Sequence, residues 1–150
     1  MWKEELNRVA QEKSKYHEKI NNGATEDEVR LFHKHAHIEI GVDLPEEYLD
    51  FLREVNGIEF NGFILYGIDQ KLLASVPNQK ISGLIENNRI WYENVWQKKY
   101  IFIGESSISW FVFEPNNKKF IELNKPSGDV VMEFENCDSM IKKILTDSMM

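Results

Sequence analysis

The chain has 150 residues, of which 42% are hydrophobic and 12% aromatic. This composition is ample for a packed core and differs from that of a disordered chain. A single cysteine, Cys137, excludes an intramolecular disulfide and favours a reducing compartment. Because the N-terminus is charged and no stretch has the ~20 apolar residues of a membrane helix, we expect a cytoplasmic protein with one domain over residues 1–150.

The net charge of −7 comes entirely from the middle of the chain. Residues 36–70 contain eight acidic side chains and one base, Arg53, whereas acids and bases balance in the two flanking segments. The acids are Glu39, Asp43, Glu46, Glu47, Asp50, Glu54, Glu59 and Asp69. Such a field repels nucleic acid and anionic membranes and attracts basic partners. We therefore expect neither nucleic acid nor membrane as a partner, and the segment is either a binding surface or a solvated face.

Three amphipathic helices are predicted in the first part of the chain. The first spans residues 2–20. The second begins at Thr25, where Thr-Glu-Asp-Glu is a capping box, and ends near Gly41. The third has Pro45 in its first turn and ends at Asn56-Gly57. The apolar stripes of the three helices are Trp2, Leu6, Val9, Tyr16 and Ile20; Val29, Phe32, Ala36 and Ile40; and Tyr48, Phe51, Leu52 and Val55.

From about residue 60 the apolar pattern changes to short runs of aromatic and β-branched residues, which favour strands. These runs are residues 63–66, 100–103, 110–113, 120–123 and 130–134. A helix is predicted over residues 81–96, with Trp91 and Val95 on its apolar stripe, and a last helix begins near Ser139. Short connections make neighbouring strands antiparallel. The sequence therefore predicts an α+β fold with N-terminal helices, a central antiparallel sheet and a closing C-terminal helix.

Three histidines, His33, His35 and His37, raise the possibility of a metal site. On a helix His33 and His37 share a face, but Lys34 rules out an HExxH motif and no further ligands lie nearby in sequence. A polar helix face rich in histidine is the favoured interpretation, and a small metal-dependent enzyme completed by distant acids is the alternative. We expect no cofactor.

Other residues suited to catalysis have weak support. The run Gly104-Glu105-Ser106-Ser107-Ile108 resembles a serine-hydrolase elbow but lacks its second glycine and is followed by a strand. Cys137 stands at a helix start, where a core-facing thiol is the commoner case. Among the tryptophans, Trp91 is expected in the core, and Trp96 is the better candidate for a partly exposed contact.

The segment from Leu44 to Leu52, Leu-Pro-Glu-Glu-Tyr-Leu-Asp-Phe-Leu, is followed by Asn56-Gly57, Gly62-Phe63 and Tyr66-Gly67-Ile68-Asp69. These motifs resemble the SUKH superfamily, and the resemblance covers about residues 25–147. The matching motif positions, which the resemblance implies are mostly structural, are Leu44, Pro45, Tyr48, Phe51, Asn56, Gly57 and Gly62. The chain departs from the family pattern at Ile58 and at residues 106–109, where relatives often have glycine.

The resemblance implies a binding domain rather than an enzyme. The superfamily includes yeast regulators of cell-wall synthesis and bacterial immunity proteins that block polymorphic toxins, many of them nucleases. The leading hypothesis is therefore an immunity protein whose partner is a toxin with a basic, phosphate-binding nuclease domain. Its predicted partner-binding residues are Glu46, Glu47, Asp50, Glu54, Glu59, Asp69 and Trp96.

Two alternatives stay open at this point. One is a regulatory scaffold that binds several proteins, and the other is the metal-dependent enzyme built on His33, His35 and His37. An exposed sheet edge would also permit a homodimer.

Overall fold

A computed structural model describes residues 1–73 and 81–150. Within these residues it contains five α-helices, six β-strands and two 3₁₀ segments, Gln70–Leu72 and Val95–Lys99. The helices are α1 (Lys3–Ser14), α2 (Glu26–Ile40), α3 (Glu46–Glu54), α4 (Leu84–Trp91) and α5 (Cys137–Ser148). The strands are β1 (Ile58–Phe60), β2 (Phe63–Leu65), β3 (Ile101–Glu105), β4 (Ser109–Glu114), β5 (Lys119–Asn124) and β6 (Val130–Phe134). The predicted α+β fold is confirmed.

The six strands form one antiparallel sheet in the order of the chain, β1 to β6. Because adjacent residues of a strand point to opposite faces, Leu123 and Glu122 mark the two sides of β5. Trp110, paired with Leu123, contacts Trp91 of α4, whereas Glu122 faces Lys143 of α5. The sheet therefore separates α4 from α5.

Local signals set both ends of α2. The Thr25 hydroxyl accepts the backbone N–H of Glu28 at 3.2 Å, and the Glu28 carboxylate accepts that of Thr25 at 2.9 Å. At the other end Gly41 adopts the left-handed conformation with φ 68°. The predicted capping box and glycine stop are confirmed.

The predicted stripe of α3 is buried in full. Tyr48, Phe51, Leu52 and Val55 have no exposed surface, and their burial holds the helix against the core. Pro45 lies at the N-cap, one position before the first turn in which the sequence placed it.

Helix α1 is shorter than predicted. It ends at Ser14 instead of residue 20, and Tyr16 is 72% exposed, so its assignment to the apolar stripe is wrong. The Lys13 side chain donates to the backbone carbonyl of Glu59 at 2.9 Å. His17 then takes a positive φ of 62°. The chain thus turns away from the helical path before it reaches Ile20.

The helix predicted over residues 81–96 is also shorter. It covers only Leu84–Trp91, and Val95 is 79% exposed in the following 3₁₀ segment, so its inward placement was wrong. Strand β1 was not predicted, because three residues give too little periodicity to recognise. Helix α5 begins at Cys137, two residues before the prediction, because the Asn136 side chain caps the N–H of Ser139.

The core runs through all layers as one cluster of buried side chains that extends from Trp2 in front of α1 to Leu145 in α5. Across the described part of the chain, none of the helices combines the length and apolar character needed to cross a bilayer.

Candidate partner-binding surface

Arg53 is the centre of an acidic surface that α2 and α3 form together. Its Nε and Nη2 donate to the two carboxylate oxygens of Glu26 at 2.9 and 3.0 Å. Its Nη1 donates to Asp50 at 2.6 Å and to Glu46 at 3.0 Å. The three carboxylate side chains are 61–72% exposed. One guanidinium therefore orients three acids on a solvent-facing surface.

Glu54 completes this group, with its carboxylate 3.5 Å from the Lys3 ammonium and 51% exposed. We call Glu26, Glu46, Asp50, Arg53 and Glu54 the α3 acidic surface. The hydrogen bond from Arg53 lowers the pKa of Glu26, and the same contact with Glu26 raises the pKa of Arg53. Both groups are thus charged over the physiological pH range, and the surface keeps its sign.

Two predicted residues lie apart from the α3 acidic surface. Glu47 is half-buried, and its negative charge adds to the effect of burial in raising the pKa of the Cys137 thiol in α5. Glu59 is exposed on β1, beside a cleft of about 630 Å³ between β1, β2 and the end of α1. The acids of residues 36–70 are therefore dispersed over several surfaces.

The structure corrects the prediction for Asp69. The sequence placed it among exposed partner-binding acids, but only 4% of its surface is accessible. Its carboxylate oxygens accept the backbone N–H groups of Ile85 at 3.0 Å and Glu86 at 2.9 Å. Asp69 therefore satisfies unpaired donors at the start of α4 instead of facing a partner.

Trp96 is 42% exposed, as expected for a contact residue, whereas Trp110 is buried. The Trp96 ring lies edge-on to the Trp110 ring, with centroids 6.0 Å apart. It also covers Gly128, where an added Cβ would come within 2.6 Å of the Trp96 ring. Trp96 thus packs against the turn between β5 and β6. Its partner-binding role stays a prediction.

The motif residues meet where α3 passes into the sheet. The Tyr48 hydroxyl donates to the backbone carbonyl of Tyr66 at 2.5 Å, and Asn56 Oδ1 accepts the N–H of Ile68 at 2.8 Å. Gly57 has a φ of 77°, and a Cβ there would lie 2.9 Å from the nitrogen of Gly67. The motif therefore ties the end of α3 to the strand end after β2.

The remaining motif positions also serve the backbone or the core. Leu44 and Phe51 are buried, Pro45 precedes α3, and Gly62 takes a φ of 83° in the tight turn between β1 and β2.

A sequence model described as SMI1 / KNR4 family (SUKH-1) matches residues 23–146, which include every motif position at this junction. The chain belongs to the SMI1/KNR4 (SUKH-1) family. The predicted resemblance is confirmed over nearly the same residues. No curated protein matches the chain at a significant level. SUKH proteins are known for immunity functions and are generally non-enzymatic.

In this SUKH-1 protein the three histidines do not converge on one carboxylate. His37 Nδ1 lies 3.0 Å and His33 Nε2 4.0 Å from one Asp43 oxygen, whereas His35 Nδ1 lies 3.1 Å from Glu39. Within residues 1–73 and 81–150, no three histidine, cysteine or acidic side chains form a group that could hold a metal ion. These contacts favour the interpretation as a polar helix face.

The contacts of Ser106 and the burial of Cys137 indicate structural roles for both residues. The Ser106 hydroxyl accepts the backbone N–H groups of Ile108 at 3.3 Å and Ser109 at 3.1 Å, so it stabilises the β3–β4 turn. Cys137 is fully buried, and burial raises the pKa of its thiol well above the ordinary value. The SUKH-1 fold thus holds this sulfur as a protonated core side chain.

Proposed function

We propose that this SUKH-1 protein is an immunity protein that binds and neutralises a cognate toxin, with a nuclease domain as the expected target. The observation that carries this proposal is the α3 acidic surface, which is exposed and pre-arranged by Arg53. Family membership supplies the class of partner, and the surface supplies a region that such a partner would recognise.

The charge of the α3 acidic surface supports a basic partner. Its four carboxylates, Glu26, Glu46, Asp50 and Glu54, are contacted by two cations, Arg53 and Lys3, so acids outnumber bases. A nuclease carries a cationic groove for phosphate. An oriented anionic surface would accelerate encounter with such a groove and exclude acidic partners.

The proposal concerns binding and not catalysis. The two best candidate nucleophiles are committed to other roles: Ser106 Oγ accepts two backbone donors, and the Cys137 thiol is buried with a raised pKa. A nucleophile needs an adjacent base or a lowered pKa to act, and burial shifts the pKa of the Cys137 thiol in the opposite direction.

The direct test is co-purification with the product of the adjacent reading frame, expressed with an inactivating change in its active site. We expect a stable complex, and co-expression with the active toxin should restore growth. Failure of the native protein both to bind the neighbouring product and to protect cells would overturn the proposal.

Charge reversal tests the surface itself. We expect Glu46→Lys, Asp50→Lys and Glu54→Lys together to slow toxin association about ten- to hundredfold at low ionic strength, because electrostatic steering is lost. Glu47 is left unchanged because it is half-buried. Stopped-flow association at several salt concentrations measures the effect.

The matched control reverses three exposed acids outside α2 and α3: Glu18→Lys, Glu86→Lys and Glu93→Lys. It changes the net charge equally, so it separates local recognition from the overall field. Thermal unfolding of both variants checks the fold. Equal association rates for the two variants would contradict a specific role of the α3 acidic surface.

A further inference from the structure

The two edges of the sheet differ in how their backbone groups are covered. At β1, the Lys13 ammonium donates to the carbonyl of Glu59 at 2.9 Å, and the Asn21 amide donates to that of Gly57 at 3.4 Å. Side chains from α1 and the following loop therefore occupy acceptors in and beside this strand. β1 is also only three residues long, which further limits pairing.

β6 is an open edge of five residues. In the part of the chain that the structure describes, it pairs with β5 on one side and with no strand on the other. Val130, Val131 and Met132 are 57%, 54% and 42% exposed. Met132 shares a face with Glu122, and Val130 shares the opposite face with Leu123. The pairing skips Val131 between Glu122 and Leu123, so β6 has an irregularity at this position. The edge is nevertheless apolar on both faces, and within the described residues no strand pairs with its outer backbone groups.

Trp96 extends this apolar edge. Its ring lies on Gly128, two residues before Val130, and it stays 42% exposed although it packs on Trp110. A packed, half-exposed tryptophan beside an open strand edge is the kind of anchor that concentrates binding energy at interfaces.

The charged residues beside β6 help to decide whether a second copy of this chain or a different protein binds at this edge. The apolar centre of β6 lies between exposed acids at positions 129, 133 and 135. If two copies paired antiparallel about Met132, Asp129 would face Glu135 of the other copy. Pairing about Val131 would place Asp129 opposite Glu133, whose carboxylate lies 3.3 Å from the Lys119 ammonium of its own copy. Like charges directly opposite destabilise strand pairs, so the register about Met132 is disfavoured, and that about Val131 is disfavoured less because Lys119 offsets the charge of Glu133.

We propose that the β6 edge binds an extended segment of the toxin, with apolar residues facing Val130 to Met132 and basic residues at its ends. The identity of the partner rests on the proposed function above. The acids at positions 129 and 135 would pair with the basic ends, and backbone hydrogen bonds would add a seventh strand to the sheet.

The β6 edge and the α3 acidic surface can belong to one interface. A five-residue strand spans about 17 Å, whereas a standard interface covers roughly 800 Å² per partner, or about 28 Å across. The strand is therefore too small to form the whole interface. Helix α5 packs against both α3 and β6, so one helix connects the two elements that carry these surfaces.

The test blocks the edge with lysine, the residue that natural sheets use to protect edges. We expect Val131→Lys with Met132→Lys to weaken binding of the inactivated toxin at least tenfold. The matched control, Ile38→Lys with Ile90→Lys, changes two apolar side chains that are 66% and 52% exposed on α2 and α4. We expect it to bind like the native protein.

Hydrogen exchange gives a second readout. Binding of the inactivated toxin to the native protein should protect the backbone amides of residues 130–134. Native affinity in the β6 variant, together with no protection at β6, would overturn the inference.

The outcomes separate this inference from the proposed function. If the α3 charge reversal slows association while the β6 variant binds normally, the immunity function stands and the strand-docking edge is wrong. If the native protein binds no toxin, both the proposed function and this inference are wrong. Sedimentation of the native protein tests the second copy: a dimer that the β6 lysines dissociate would assign the edge to self-association and would also overturn the inference.

Discussion

At the scale of single residues, Asp69 shows how far a side chain's role depends on its surroundings. In the sequence it is the last of a run of acids, and in the fold it is a buried cap of α4. Desolvation raises the pKa of its carboxyl group, and the N–H groups of Glu86 and Ile85 offset part of that increase. The same residue type at Asp50 stays exposed and pairs with Arg53.

The raised pKa of Asp69 predicts a pH-dependent stability. A carboxyl group with a higher pKa in the folded than in the unfolded state contributes stability below its unfolded pKa of about 3.9. That contribution is lost as the pH rises through the folded pKa. We therefore expect the free energy of unfolding of the native protein, relative to the Asp69→Asn variant, to fall from about pH 3 to neutrality.

Urea unfolding of both proteins across this pH range measures the difference. Asp129→Asn, at an exposed position in the β5–β6 turn, serves as the control for the loss of one acidic side chain. A difference between native and Asp69→Asn protein that rises with pH would contradict the inferred burial of a charged carboxylate.

At the scale of elements, the junction between α3 and the sheet depends on two backbones in contact. An added Cβ at Gly67 would lie 2.8 Å from both the carbonyl and the side-chain oxygen of Asn56. Asn56 is itself fixed, because its Oδ1 accepts the N–H of Ile68 at 2.8 Å. The family motif is therefore a packing requirement between elements that are adjacent in the fold.

We expect Gly67→Ala to destabilise the protein by about 3 kcal/mol, the upper part of the range for overpacked sites, because neither backbone can move aside. Gly62→Ala is the matched control. It has a φ of 83° but no atom within 4 Å of the added Cβ, so it measures backbone strain without collision. Its expected cost is about 1 kcal/mol. The urea midpoints of the two variants, at an unchanged m-value, measure both losses of stability. A larger loss for Gly62→Ala than for Gly67→Ala would refute the packing argument.

At the scale of the whole molecule, α1 lies before the family match at residues 23–146 yet belongs to the same core. The ring of Trp2 packs edge-on to Phe51 of α3 with centroids 4.9 Å apart. Its indole N–H donates to the carboxylate of Asp138 in α5 at 3.0 Å. Trp2 therefore joins the segment before α1 to α3 and, directly, to α5.

We expect the chain to unfold in one cooperative transition, with coincident curves from far-ultraviolet circular dichroism and tryptophan fluorescence. Trp2→Ala should shift that single transition by about 3–5 kcal/mol because it removes a buried aromatic side chain. Trp2→Phe, which keeps an aromatic ring but loses the hydrogen bond, should cost less. A separate early transition for α1 would show that it is not part of the cooperative unit.

Much of the architecture could be predicted from the sequence because its signals are local. The capping box at Thr25 and the stop at Gly41 each involve a single helical turn, so α2 is defined by neighbouring residues. The stripe of α3 repeats at the helical period and is buried, whereas β3 to β6 were recognised as short runs of aromatic and β-branched residues. The Leu-Pro-x-x-Tyr motif likewise identified the family from adjacent residues.

The tertiary structure decided the features that join distant residues. Arg53 pairs with Glu26, 27 positions away, which turns dispersed acids into one surface. The position of α4 depends on Asp69, 16 positions before the N–H of Ile85 that it caps. No periodic pattern in the sequence predicts either contact, because each forms only when separate elements pack together. The sequence alone determined the presence and order of the helices, most strands and the family; the packed fold decided where α1 and α4 end, which acids face solvent and which sheet edge has no strand partner among the described residues.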